Sequence, residues 1–181
     1  MSSSYGFEDL DEDYNKVYHE RKRDLAHNIN NRNILSMHLG GIIIECYLKN
    51  LVIKKFRITK TRLKNLWYGE QLYNALNSQN NLRNPELKKD AIINPGHNLV
   101  TTIKDHLEEL DAVMPSDIVE KLKRIEDPLN KSNETKRIST YIDIRYCAEN
   151  LFNQDHYNQW FSAFIDVLKW LDDNVSLIQE V

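Results

Sequence analysis

The chain has little of what interrupts a helix. Only five of its 181 residues are glycine and four are proline, too few turn residues for a fold of many short strands, so long helices are expected. It has two cysteines, Cys46 and Cys147, and no CxxC pair, which leaves no zinc or dithiol motif and makes two inert thiols in a reducing cytosol the expectation. Positive charge is not in excess: the formal net charge is −3, so binding of nucleic acid by bulk charge is excluded and any such site must be a local patch. Met1 is followed by serines and the acidic stretch Glu8 to Asp13, without the basic start and apolar run of an export signal. The most apolar stretch, Leu39 to Ile53, is interrupted by Glu45, Lys49 and Asn50 and falls short of the roughly 20 residues that cross a bilayer. Glycine-rich phosphate loops, Walker sequences and serine-nucleophile motifs are missing. The expectation is a cytoplasmic protein with no membrane segment, no cofactor and no metal.

What is present is helical periodicity. Leu10, Tyr14, Val17, Tyr18, Arg21, Leu25 and Ile29 recur three or four apart and predict a first helix over 9–30. Ile34, Met37, Gly41, Ile44, Leu48, Leu51 and Val52 form the stripe of a central helix over 34–56, widened by Ile42 and Ile43 until most of its circumference is apolar. Gly40-Gly41 inside it costs about 1 kcal/mol per glycine against alanine, so a close neighbour is expected there. Leu63, Leu66, Trp67, Leu72, Tyr73 and Leu76 predict another helix, and the polar runs 77–95 and 130–140 read as loops. A short helix is expected over 98–111, one opened by Pro115-Ser116-Asp117 and ended by Pro128, and a long one from Asp155 through Ile178. One domain, 1–181, folded as an all-α antiparallel bundle of four to five helices with extra loops, is the predicted architecture.

The candidate chemistry begins with Glu45, a carboxylate among isoleucines that needs a partner if buried. Lys49, one turn on, supplies an i,i+4 ion pair. His97 stands just before a helix start, where an anion would bind. Arg145 has a planar fork able to hold a carboxylate and a phosphate together. Glu45, His97 and Arg145 are therefore expected to converge from three elements into one polar cluster, with Lys49 as the ion-pair partner of Glu45. Lys54, Lys55, Arg57, Lys60, Arg62 and Lys64, followed by Trp67 and Tyr68, form a second candidate, with cations for phosphates and aromatics for bases.

Gly41-Ile-Ile-Ile-Glu45-Cys-Tyr-Leu48-Lys49, Gly96-His97-Asn98-Leu99 and Arg145-Tyr146 before a long aromatic-rich helix together resemble the HEPN domain, over about residues 10–178. The resemblance implies a small helical bundle of the kind found in nucleotidyltransferase partners, toxins and defence systems. It also implies a homodimer, with Trp160, Phe161, Phe164 and Trp170 as apolar surplus. Many members are metal-independent ribonucleases using an Arg and a His four to six residues apart near the last helix of the bundle. Here Arg145 is followed by Cys147, Ala148, Glu149 and Asn150, and His156 lies too far on. Arg32 and His38 have the spacing but open the central helix. The leading expectation that the resemblance implies is a non-catalytic module that recognises a nucleotide or RNA phosphate through a ligand-binding set of Glu45, Lys49, His97, Arg145 and Tyr146. A ribonuclease using Arg32 with His38, or Arg145 with His156, is the alternative, and a protein-interaction domain the third.

Overall fold

A computed structural model of the chain describes residues 7–28, 33–62, 65–78, 91–129, 140–147 and 153–179. Its helices are α1 (Tyr14–Asn28), α2 (Asn33–Phe56), α3 (Glu70–Ser78), α4 (Leu99–His106), α5 (Glu108–Val113), α6 (Ser116–Glu126), α7 (Gln154–Asn174) and α8 (Ser176–Gln179), with a 3₁₀ turn at Asp143–Tyr146. The mostly helical architecture is as expected. A small sheet is not: β1 (Phe7–Asp9), β2 (Ile58–Arg62), β3 (Leu66–Gly69) and β4 (Ile92–Ile93) pair antiparallel in the order β1-β2-β3-β4. Strand β3 replaces the front of the helix expected between Leu63 and Leu76, of which only α3 remains. The predicted loops 77–95 and 130–140 lie largely outside the described residues.

The sheet forms where β-branched and aromatic side chains concentrate. Ile58, Thr59 and Thr61 favour the pleat, and Thr61 pairs with Trp67 across β2 and β3. Successive strand residues point to opposite faces, and both faces here are covered. Trp67 joins the main core near Tyr14, while Tyr68 enters a smaller one with Phe7 and Leu76. Phe7 meets Tyr68 edge-on at 4.9 Å. Two adjacent buried aromatics imitate part of a helical stripe, which is why the pattern is ambiguous.

Helix α2 is the axis of the main core, packed against α1, α4, α6 and α7. Its glycines are close-approach positions, as expected. A Cβ at Gly40 would lie 2.5 Å from the Trp160 indole, and one at Gly41 would be under 3.0 Å from the Tyr141 ring. Trp160 stacks on Phe164 at 5.4 Å and 8°, and both are buried. Phe161 and Trp170 pack partly buried against the same core. Trp160 and Phe164 are thus used within the chain, while Phe161 and Trp170 stay partly exposed. The helix expected over 98–111 breaks at Leu107, whose backbone leaves the helical region at φ −128 and ψ 55 while its side chain is fully buried. No glycine or proline marks that break.

Candidate functional site

Glu45, itself buried, projects from α2 into a polar cluster whose other buried members are Lys49 and Tyr141 and whose exposed member is His97. Its Oε1 accepts from Lys49 Nζ at 2.6 Å, and its Oε2 accepts from the Tyr141 hydroxyl at 2.6 Å and pairs with His97 Nδ1 at 2.9 Å. Burial alone would raise the Glu45 pKa. The Lys49 charge and the hydrogen bonds from Lys49, Tyr141 and His97 outweigh it and hold the carboxyl below its ordinary 4.5. Burial, reinforced by Glu45, raises the Tyr141 pKa and keeps its proton in place as a donor. Lys49 is itself buried and lies over the Tyr14 ring at 5.4 Å. The Cys46 thiol is pushed up to about 12 by burial and by Glu45, which makes it a poor nucleophile.

Of the residues expected to form the site, the fold joins Glu45, Lys49 and His97. Arg145 is elsewhere: its guanidinium lies over the Tyr146 ring at 4.7 Å, on the exposed side of the 3₁₀ turn, and Tyr146 is 78% exposed. In that turn Ile144 is the residue that faces the core, so Arg145 is carried outward. Tyr141 fills the place expected for Arg145, with a neutral hydroxyl instead of a cation. Its position is fixed at three points. The ring lies on Gly41, the carbonyl oxygen meets His38 Nδ1 at 2.8 Å, and the amide donates to the Glu126 carbonyl at 3.0 Å.

The helix start expected to hold an anion is filled by the chain's own carboxylate. Glu126 Oε2 accepts from the amides of Leu99 and Val100 at 2.9 and 3.1 Å, and Asn98 Oδ1 accepts from Thr101 at 2.8 Å. The free donors of the first turn are thereby satisfied, and a phosphate has none left to take. Burial raises the Glu126 pKa despite the two amides. Glu126→Ala is expected to lower stability by about 1–2 kcal/mol through loss of this cap. Glu126→Gln keeps an acceptor, so its thermal melt should stay near that of the wild type.

The second candidate does not survive folding. Trp67 and Tyr68 are each 1% exposed and have no free face for a base. Lys55 pairs with Glu108 and Glu109, Lys60 with Asp9, and Arg62 lies over Phe7. Lys54 and Arg57 are exposed, and Lys64 is outside the described residues. Arg32, half of the ribonuclease-type spacing, is also outside them. Its companion His38 holds the Tyr141 carbonyl. His156, in the first turn of α7, has Nε2 at 2.6 Å from the Pro128 carbonyl, which fixes the proton on that nitrogen.

Tyr141, Glu126 and His106 are functional-looking groups that the sequence reading missed. Burial lowers the His106 pKa, and it lines an open groove of about 560 Å³ with Phe56, Ile92, Ile93 and Pro95. Only the glycine at 41, which makes room for a ring beside Glu45, hinted at Tyr141. Among the described residues no helix is long and apolar enough to cross a membrane, and no three His, Cys, Asp or Glu side chains are gathered as a metal site requires. Compared with known proteins, the chain matches no family model, and no curated protein or solved structure is significantly similar to it.

Proposed function

We propose that the chain is a HEPN-like, non-catalytic binding module that recognises a nucleotide or RNA phosphate, acting as one component of a toxin, defence or nucleotidyltransferase system. The observation that carries the reading is His97. Its side chain is 55% exposed while its Nδ1 is anchored on the buried Glu45 carboxylate. A ring held by its inner nitrogen presents the outer one to a ligand in a fixed direction. Arg145 and Tyr146, four and five residues beyond Tyr141, add an exposed cation on an aromatic plate, which suits a phosphate beside a base. The family assignment rests on the order of Glu45, Gly96-His97 and Arg145-Tyr146 along the chain. Trp67 and Tyr68, both buried, offer no stacking surface on β2 and β3.

A metal-independent ribonuclease is the second reading, favoured by the same carboxylate–imidazole pair, since a His oriented by a carboxylate is a competent general base. A labelled mixed-sequence RNA, titrated and assayed for cleavage in EDTA, separates the two. Binding without cutting is expected, weakened about tenfold by His97→Ala and made less salt-dependent by Arg145→Ala. Cutting that survives EDTA and is lost in His97→Ala, His38→Ala or His156→Ala would establish the ribonuclease instead. Neither binding nor cutting would leave a protein-interaction domain.

A further inference from the structure

We infer that the open groove beside β4 is a docking site for an extended peptide segment of a partner protein, one that carries basic and large apolar side chains. The inference does not depend on the phosphate-binding reading and rests on other residues. All of 91–95 line the groove. Successive strand residues point to opposite faces of a sheet, so a groove lying over one face would be lined by alternate residues only. It therefore runs along the edge of the strand. Facing that edge is α4, through Thr101 and Asp105, one helical turn apart.

The ladder decides which backbone groups look into the groove. Among the described strands β4 pairs with β3 alone. Leu66 is opposite Ile93 and Trp67 opposite Ile92, and the Asn94 amide donates inward to the Asn65 carbonyl at 2.8 Å. In an antiparallel ladder inward and outward backbone groups alternate residue by residue. The N–H and carbonyl of Ile93 therefore point away from β3, and among the described residues neither has a partner. An unpaired donor and acceptor on an exposed strand edge are the template onto which another extended chain adds. Pro95 has no N–H to extend the pairing, so side chains must supply the rest of the affinity and choose the partner.

The side chains on the groove set that choice. Ile93 is 65% exposed and Phe56 36%, and both offer apolar surface that a leucine or valine of the partner would cover. Asp105 is the acid of the lining, and no lysine or arginine shares it. Lys55, whose charge is felt at His106, is held by Glu108 and Glu109. Burial keeps the His106 pKa below its ordinary 6.5, so that ring brings no positive charge at neutral pH. The groove is thus apolar with a carboxylate on its helical wall, which complements a lysine or arginine and repels an acidic residue or a phosphate. That charge favours a basic peptide over a nucleic acid as the occupant.

The test is an array of short synthetic peptides that combine leucine and valine with lysine, glutamate or glutamine, probed with the full chain, with the best binders then titrated in solution. Lysine peptides should bind at least about tenfold more tightly than their glutamate counterparts, the worth of one hydrogen bond between charged groups. Asp105 is exposed, so Asp105→Asn and Asp105→Lys should melt near the wild type. The first should remove the preference for lysine and the second should reverse it. Methylating the backbone nitrogens of a binding peptide should abolish its binding, because it takes away the donors for the Ile93 carbonyl. Ile93→Pro removes the matching donor of the protein and leaves Ile92 and Asn94 bonded to β3, and it should weaken every binding peptide. No peptide bound, equal binding of lysine and glutamate peptides by the wild type, or undiminished binding of the methylated peptides would each overturn the assignment. A dimer in sedimentation that Ile93→Pro dissociates would overturn it in favour of a second copy of the chain.

Discussion

Gly41→Ala is expected to lower stability by about 3–5 kcal/mol, in line with overpacking that also breaks a buried hydrogen bond to a charged group. The added methyl would fall within the Tyr141 ring, under 3.0 Å from its atoms. The ring cannot retreat without cost, because its carbonyl oxygen is held by His38 and its amide donates to Glu126. Displacing it removes the shortest neutral donor to Glu45 and uncovers the ion pair. Chemical denaturation checks the size of the loss. Gly40→Ala serves as the comparison, since its methyl would meet the edge of Trp160 at 2.5 Å without touching the polar cluster. If Gly41→Ala melted like the wild type, the ring could not rest on α2 as described.

Lys49→Met should be nearly as damaging, at about 3–5 kcal/mol, because it leaves the Glu45 carboxylate buried without its countercharge. The double variant Glu45→Gln with Lys49→Met should recover most of that loss. The introduced amide can still accept from Tyr141, and the introduced thioether fills the space under Tyr14 without a charge. Unfolding of the two single variants and the double variant forms a cycle, and the coupling should exceed about 1 kcal/mol. Additive losses would mean that the two charges do not depend on each other.

The same pair governs the response to acid. Glu45 has a folded pKa below its ordinary 4.5, so its contribution to stability is complete above that value and is lost as pH falls through the lower, folded one. Glu126 has the opposite shift and costs stability as pH rises from about its unfolded value through its folded one. A melt series in acid should therefore show a steep loss below pH 4.5 in the wild type that flattens in the double variant, whereas Glu126→Gln should gain slightly towards neutrality.

The helical frame was legible because α2 and α7 bury long stripes at the helical period, and because so few glycines and prolines interrupt them. The Glu45–Lys49 pair was legible too, since its spacing is local. What lay beyond reach depended on contacts distant in sequence or on local geometry without a marker. The sheet closes through Phe7 and Ile92–Ile93, far from β2 and β3 along the chain, so Leu66 and Trp67 looked helical. The cap on α4 comes from Glu126, 26 to 27 residues away from the amides it binds. Arg145 and Tyr141 sit in one short segment, and which of them faces Glu45 is decided by a 3₁₀ turn that no side-chain period announces.

The central claim, that His97 meets the ligand through Nε2 while Glu45 holds Nδ1, is tested most directly by nitrogen NMR of the His97 imidazole during titration with a 5′-phosphorylated nucleotide. The expected result is a protonated Nδ1 before and after addition, with the Nε2 resonance, identified by its absence from the His97→Gln spectrum, moving as the site fills. A hydrogen found on Nε2 in the free protein, or ligand binding that leaves both ring nitrogens unmoved, would contradict it.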